Sequence, residues 1–496
     1  MNLNGVFSLT HNSKNVLRGA LFFALIRDRK LRRAHIKEAL KNGAVKVISG
    51  SGARRKMALI AKKFYFSACD DLKIIAVVGT NGKTTTAHII KHILKTANPS
   101  QRVGIIGTLG IFVDDVKLGE GMTTPDPIEL HRAFFEMRGM GVKFVVIEVS
   151  AHAIWFEKIA GIKFEVAMLT NITQDHLDFF KTFEVYRETK IGFLKSGQIK
   201  NLVINADDPA AEEFDGARLE GGGELNEPTQ KRVQNQARRR IKGDNLSFYS
   251  GSDAQKLKLS ARGSTFSAYG LKISLNLPAK FNVMNALGAL RVCRLLGIAD
   301  KDILTALKTM PSVAGRMNSY NLTAKGGGKF TAVIDYAHTP DGLEKLLTTA
   351  RELARGDTTD LKTALEIVSG KRNLGGARVI CVFGCGGDRD KEKRPIMGKI
   401  ASELADYIVL TSDNPRFEEP TEIIAQIERG MIDPPRYKII VDRREAILFM
   451  LGEANAGDIV VIAGKGAENY IDIKGVRYPF TDEKIVFDFM NENNYK

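Results

Sequence analysis

Ile74-Ile75-Ala76-Val77-Val78 runs without a break into Gly79-Thr80-Asn81-Gly82-Lys83-Thr84-Thr85, and then into the helical stretch His88–Lys95. The first five residues are apolar and mostly β-branched, as a strand buried on both faces requires. The glycines after it let backbone N–H groups close on a phosphate, and a helix beginning there adds the positive end of its dipole. In such a strand, loop and helix, Lys83 sits on the outer phosphates and the Thr84 hydroxyl on Mg²⁺. The usual loop carries a further glycine where Val77 stands here, so Gly-Lys-Thr in an ordinary tight turn is the alternative reading. The strand–loop–helix context favours ATP, held by Gly79 through Thr85.

Outward from this loop, short β-branched runs alternate with helical stretches: Val103–Ile106, Phe144–Ile147, Val166–Leu169 and Leu202–Ile204. That rhythm predicts a parallel sheet covered by helices. Residues 216–243 interrupt it with Gly221-Gly222-Gly223 and a polar basic tract, read as a solvated insertion loop. A second series begins near residue 317, with Thr331–Ile334, Val379–Phe383, Tyr407–Leu410, Tyr437–Val441 and Ile459–Ile462. Each run ends in a turn rich in Gly, Asp, Asn or Pro, where ligands bind in sheets of this kind. The expected fold class is α/β in three domains: a small N-terminal α/β domain over 1–70, a central phosphate-loop domain with a parallel sheet over 71–316, and a Rossmann-like C-terminal domain over 317–496. Gly19–Ile26 is apolar enough to pass for a signal peptide, but Arg27-Asp28-Arg29-Lys30 follows with no small-residue cleavage site, so a buried strand is expected.

The 496 residues are 44% apolar and 26% charged, a globular composition that excludes wholesale disorder. No apolar run reaches the roughly 18 residues of a membrane span, and four cysteines make no disulfide framework. A soluble, cytoplasmic protein is expected. The net charge of +16 is concentrated: residues 1–70 carry fifteen Lys/Arg against Asp28, Glu38 and Asp70, and residues 231–242 add six basic groups and no acid. An anionic partner or substrate follows. With no aromatic-rich RNA-binding strand and no zinc-finger spacing, a phosphorylated small molecule is favoured over nucleic acid.

Three further segments carry candidate chemistry. Ile147-Glu148-Val149-Ser150-Ala151-His152 ends a predicted strand, Thr170 to Asp178 (TNITQDHLD) follows another, and Tyr186-Arg187-Glu188-Thr189-Lys190 lies on a helix. Mg²⁺ takes hard oxygen ligands, so Glu148 and Thr84 are natural candidates. Singly these are a strand-end Glu, a His beside Asp175 and a helix-surface Lys; in this order after a phosphate loop they read as one site. Asp175 and Asp178 serve equally as helix caps or as groups orienting a ligand.

The variant loop Gly-Thr-Asn-Gly-Lys-Thr-Thr, with these motifs in the same order and spacing, resembles the Mur ligases, the amide-forming enzymes of peptidoglycan synthesis. The resemblance extends from Gly79 to Glu468 and covers nearly the whole chain. It implies ATP-dependent activation of a carboxylate as an acyl phosphate, attacked by an amine. It implies Lys83, Glu148, His176, Lys190 and Arg316 at the reacting centre, with Glu148, His176 and a carbamylated Lys190 (N6-carboxylysine) around the second of two Mg²⁺. Asn285 in Phe281-Asn282-Val283-Met284-Asn285 is implied at the adenine, although two Asn capping the helix Ala286–Leu296 is the plain reading. Arg316, after Gly315, is implied to reach the phosphates as domains close; Asp335 to hold the ribose; and His338 to lie near the nucleotide. Ser13, Thr123, Thr124, Ser150 and Lys158 match positions gripping the UDP-muramoyl peptide.

The segment Asp413-Asn414-Pro415-Arg416 separates meso-diaminopimelate enzymes from lysine enzymes in this family. Diaminopimelate is lysine with a second carboxylate at its distal amine, and a guanidinium can take that carboxylate through two parallel hydrogen bonds. At about 1.5–3 kcal/mol per charge-assisted bond, the discrimination is large. Arg389, Gly464 and Glu468 join the implied set. The substrates implied are ATP, UDP-MurNAc-L-Ala-D-Glu and meso-diaminopimelate, acted on by a monomer.

Four departures stand out: Asn318 where an acid usually follows Met, Ala467 where His is usual, Lys158 for Arg, and Asn12-Ser13-Lys14 for Asp-Ser-Arg. An L-lysine-adding enzyme, a folylpolyglutamate synthetase, or a non-catalytic nucleotide- or nucleic-acid-binding relative are the alternatives. Cys381 and Cys385 read as buried strand and turn residues, and Trp155 as packing beside Lys158.

Overall fold

The computed structural model describes residues 3–214, 245–260, 263–354, 377–433 and 436–494. The insertion 216–243, with its basic tract 231–242, lies outside the described residues. Three α/β sheets follow one another along the chain. In the first, β1 (Ser8–Thr10), β2 (Ala20–Ala24) and β3 (Ala44–Ser49) are parallel in that order. The stretch that could pass for a signal peptide supplies β2, its central strand, wholly buried. Its period of two sorts the side chains: Leu21 and Phe23 pack with Met57 and Ala61 of α2 (Ala53–Phe64), while Ala20, Phe22 and Ala24 pack with Ala39 of α1 (Arg29–Lys41).

The central sheet contains β4 (Lys73–Val78), β5 (Val103–Gly107), β6 (Gly110–Val113), β7 (Val116–Gly119), β8 (Phe144–Val149), β9 (Phe164–Leu169), β10 (Ile199–Asn205) and β11 (Leu246–Tyr249). Its order is β11-β10-β9-β4-β8-β5-β6-β7, parallel except for β6 and β7. β4 sits between β8 and β9 with all but its first residue buried. Apolar clusters cover both faces, one including Ile90, Ile93 and Leu94 of α3 (Lys83–Ala97) and Leu287 and Leu290 of the helix Lys280–Leu295. An antiparallel sheet, β12 (Gln255–Ser260), β13 (Gly263–Ala268) and β14 (Leu271–Leu275), packs beside that helix.

The last large sheet comprises β15 (Asn318–Thr323), β16 (Lys329–Asp335), β17 (Val379–Phe383), β18 (Tyr407–Leu410), β19 (Arg436–Ile439) and β20 (Ile459–Ala463), in the order β15-β16-β20-β17-β18-β19. Only β15 is antiparallel. A hairpin of β21 (Tyr470–Ile473) and β22 (Val476–Pro479) follows. Nine of the ten expected strands fall within observed ones. The tenth ends earlier, at Ile439, and its β19 is an exposed edge strand. The antiparallel strands went unread because they are short and one-sided, as in Gln-Lys-Leu-Lys-Leu-Ser of β12. All four cysteines are free and buried, and among the described residues no helix is long and apolar enough to cross a membrane.

A wholly buried ion pair ties the C-terminal sheet to its helices. Arg443 donates to both oxygens of Asp482 at 2.8 and 2.7 Å and to the carbonyl of Ala463 at the end of β20. Asp482→Ala strands the guanidinium, and denaturant unfolding of the C-terminal domain should show a loss of about 3–5 kcal/mol. Asp488→Ala removes a 4.0 Å pair to Arg444 at the surface and should change stability by less than about 1 kcal/mol.

Candidate active site

The phosphate loop leaves β4 at its carboxyl end and enters α3. Gly82 has φ +81°, and a Cβ there would lie 2.5 Å from Asn285 Oδ1, so the carboxamide rests directly on the loop. Asn285 is therefore no cap: it lies inside the helix Lys280–Leu295, buried, donating to Asn282 Oδ1, while Asn282 donates to Pro278 O. Lys83 Nζ folds back on the carbonyls of Gly79 and Thr80 at 3.0 and 2.8 Å. Thr84 donates to Glu148 Oε2 at 2.9 Å and accepts from Arg316 at 3.1 Å. The loop, Thr84, Glu148, His176, Asn285, Arg316, Asp335 and His338 line one cavity of about 820 Å³.

Glu148 ends β8 almost wholly buried, and its carboxylate accepts from Thr84 and from the Thr108 amide and hydroxyl. All three donors are neutral, so a buried negative charge is only partly compensated. A hard cation beside the Thr84 hydroxyl fits this arrangement. Among the described residues, no three His, Cys, Asp or Glu side chains converge as metal ligands; the implied set relies on Thr84 and Lys190 beside Glu148 and His176.

Lys190 corrects its reading as a helix-surface lysine. It is wholly buried, donating to Tyr186 Oη at 2.6 Å and Thr80 Oγ1 at 3.0 Å. Burial, reinforced by the nearby Lys83 charge, pushes its amine well below the ordinary lysine range. His176 lies at φ +58°, its Nε2 3.3 Å from Asp175 and its ring edge-on to His152. Burial lowers it to about 3 despite the carboxylate, leaving the neutral imidazole that metals take. Burial would raise Asp175, but His176, His338, Lys393 and Lys83 hold it below the usual carboxylate range. Asp175 is thus a partner of His176 and no helix cap; His176 itself occupies the cap position.

The C-terminal sheet closes over this cavity. Asn81 donates to Asp341 at 2.6 Å, and the Arg316 guanidinium stacks 4.3 Å from the Tyr336 ring centre. Asp335 accepts from the amides of Met317 and Ala337, both at 2.8 Å, so each oxygen already holds the hinge or its own turn. His338 Nδ1 is 2.8 Å from Tyr336 O, and burial lowers its pKa.

Among the residues implied for the nucleotide sugar, Thr123 meets Thr108 at 3.1 Å on the cavity wall, and Ser150 caps the helix Ala151–Trp155. Thr124 is buried, its hydroxyl within hydrogen-bonding reach of Glu148 O and Ser150 Oγ, where it braces the strand end. Lys158 pairs with Asp126 at 2.9 Å. Asp126 opens onto a second cavity of about 550 Å³ against the first sheet, lined also by His11, Arg27, Arg32, His35 and Arg54. Ser13 is buried and reaches this cavity only through its 2.7 Å bond to His35. The lining cations escaped residue-level reading; the basic bias of residues 1–70 was their only signal. Trp155 is 45% exposed and packs edge-on to Phe179 and Phe180.

The amino-acid candidates gather at the adjacent carboxyl ends of β17, β18 and β20. Asn414 donates to Glu468 at 2.8 Å, and Lys465, wholly buried, bridges Glu468 at 2.9 Å and Asn414 Oδ1 at 3.2 Å. Lys465 was missed, since nothing local distinguishes it from a solvated turn lysine. A Cβ on Gly464 would lie 2.8 Å from Asp413 Oδ2. Burial would raise Asp413, but Lys465 and Arg443 hold it lower. Arg416, at φ +51°, donates to Gly387 O at 2.7 Å, and Arg389 is exposed nearby.

Residues 77–293 match the family described as Mur ligase middle domain, and residues 357–466 match Mur ligase, glutamate ligase domain. Over 99% of its length the chain is 34% identical to the UDP-N-acetylmuramoyl-L-alanyl-D-glutamate–2,6-diaminopimelate ligase of Clostridium botulinum (strain ATCC 19397 / Type A), covering 96% of that protein. The protein of the same name from Aquifex aeolicus (strain VF5) is 36% identical over 98% of the chain and 94% of its own length. A solved structure of a UDP-N-acetylmuramoyl-L-alanyl-D-glutamate–2,6-diaminopimelate ligase aligns with a TM-score of 0.61 at 31% identity, over 99% of this chain and 96% of that one. With the loop, the buried lysine and the paired sheets all in this order, the chain belongs to the Mur ligase family.

Proposed function

We propose that this protein is an ATP-dependent ligase joining the D-glutamate side-chain carboxyl of UDP-MurNAc-L-Ala-D-Glu to meso-diaminopimelate, as a cytoplasmic monomer in peptidoglycan precursor synthesis. The observation that carries the reading is the facing of two sites, a phosphate loop with its buried Glu148 and an Asp413–Arg416 turn braced by Glu468, within a chain alike over its full length to enzymes of that name. The glutamate carboxylate attacks the γ-phosphorus and ADP leaves. The amine then attacks the acyl carbon, and the carbon–oxygen bond breaks to release phosphate. Both partners in the first step are anions, so Lys83 and Arg316 serve to neutralise charge where they meet. Two Mg²⁺, when bound, would add Lewis-acid stabilisation of the transferring phosphoryl group. Thr84, Glu148 and His176 supply donors for them. Only a neutral amine adds to carbon dioxide, and the buried Lys190 between Tyr186 and Thr80 is suited to becoming N6-carboxylysine, an oxygen donor.

Asn285, Asp335 and His338 serve the nucleotide, while Ser13, Thr123, Thr124, Ser150 and Lys158 serve the muramoyl peptide directly or by bracing it. Arg389, Asp413, Asn414, Arg416, Gly464 and Glu468 serve the amino acid. A lysine-adding or folate enzyme has no use for a fixed guanidinium at Arg416, and a non-catalytic relative has no use for the retained Lys83, Glu148, His176 and Lys190.

Phosphate release from ATP with UDP-MurNAc-L-Ala-D-Glu should occur with meso-diaminopimelate and not with L-lysine; release with lysine alone overturns the amino-acid assignment. Lys190→Ala should nearly abolish turnover while the protein stays folded, and added bicarbonate should not restore it. Wild-type activity in that variant would remove the carbamate from the scheme. Arg416→Lys keeps the charge and loses the fork, so KM for diaminopimelate should rise more than KM for ATP; equal changes count against its place at the distal carboxylate.

A further inference from the structure

The basic bias of the first sheet has two destinations, and the nucleotide-sugar site accounts for only one. Arg27, Arg32, His35 and Arg54 line the 550 Å³ cavity, where a diphosphate would be held. Arg29, Lys30, Arg33, Lys37 and Lys41 occupy the other side of α1, at helical spacings of three, four and seven, and all five are exposed. None of the five makes an ion pair or hydrogen bond among the described residues. The acids nearby do not oppose them: Asp28 accepts from the Leu31 amide as the helix cap, and Glu38, the one acid within α1, is partly buried. Leu40, 52% exposed, lies within this cationic face, three residues from Lys37 and seven from Arg33.

We infer that this outer face of α1 docks on an anionic lipid surface. The two components have separate jobs. Long cationic side chains meet phosphate headgroups while their methylene stems lie along the interface, and Leu40 among them enters the headgroup–acyl boundary. Nucleic acid would use the charges but has nothing to offer Leu40, and no aromatic side chain stands among the five cations for bases to stack on. Docking through this face leaves the second cavity on the other side of α1 open to substrate. The association is peripheral and reversible, since this face of α1 supplies charge and one apolar side chain and spans nothing.

Co-sedimentation of the full-length protein with vesicles tests this. Vesicles of mixed phosphatidylglycerol and phosphatidylcholine should bind it, phosphatidylcholine vesicles should not, and binding should weaken as salt rises. The triple variant Arg33→Glu/Lys37→Glu/Lys41→Glu should lose roughly a hundredfold or more in partitioning, with ATP-dependent phosphate release unchanged. Leu40→Ser should weaken binding several-fold and keep the lipid-charge preference. Neutralising the basic groups of residues 231–242 should leave vesicle binding intact. No binding to phosphatidylglycerol vesicles at low salt overturns the inference, and so does equal binding by the triple variant. Binding lost with residues 231–242 instead, or duplex DNA bound in preference to vesicles through the same α1 charges, also overturns it.

Discussion

The Thr84 hydroxyl takes a hydrogen bond from Arg316 and gives its own to Glu148, joining the phosphate loop, a strand end and the start of the C-terminal sheet through one side chain. A positive and a negative group are held on either side of a neutral one, on the wall of the cavity that all three line. Glu148 is buried with only neutral donors around it, and Lys83 is turned back on loop carbonyls. Both arrangements leave charge to be completed by what binds. The cavity is built around incomplete electrostatic compensation, and the rest of the fold serves to keep those groups at fixed separations.

Two parallel sheets supply that fixity. In each, the useful groups lie at carboxyl strand ends, where loops open and helix N-termini point. The central sheet offers the loop after β4 and Glu148 at the end of β8; the C-terminal sheet offers the turns after β16, β17, β18 and β20. Asn81 bonded to Asp341, and Arg316 stacked on Tyr336, bring the two sets of loops face to face. A Cβ on Gly315 would lie 2.0 Å from the amide of Ala467, so the chain linking the sheets passes directly against the Gly464–Glu468 turn. The same link reaches the phosphate loop through Arg316.

Charge is placed with the same economy. Lys465 is buried because Glu468 and Asn414 satisfy it, and it draws those two groups together. Lys190 is buried against the Tyr186 and Thr80 hydroxyls, which makes its charged form costly. The same residue type thus meets a carboxylate in one site and hydroxyls in the other.

The phosphate loop, the buried strand β2 and the main parallel strands were legible in the sequence because each is a local pattern: glycine spacing, β-branched runs, and a cleavage site missing after an apolar run. The Asp413–Arg416 and Gly464–Glu468 segments were legible by likeness, as short runs at strand ends. Burial of Lys190, the inward turn of Thr124 and the approach of Asn285 to Gly82 were not, nor was the bridge made by Lys465 or the cationic wall of the second cavity. Each of these depends on which elements pack across tens to hundreds of intervening residues, as Lys190 on Thr80 and Asn285 on Gly82 do. Local sequence determines what a strand or loop can be. Only the packing of distant elements decides which polar groups lose water, and with it which of them stay charged.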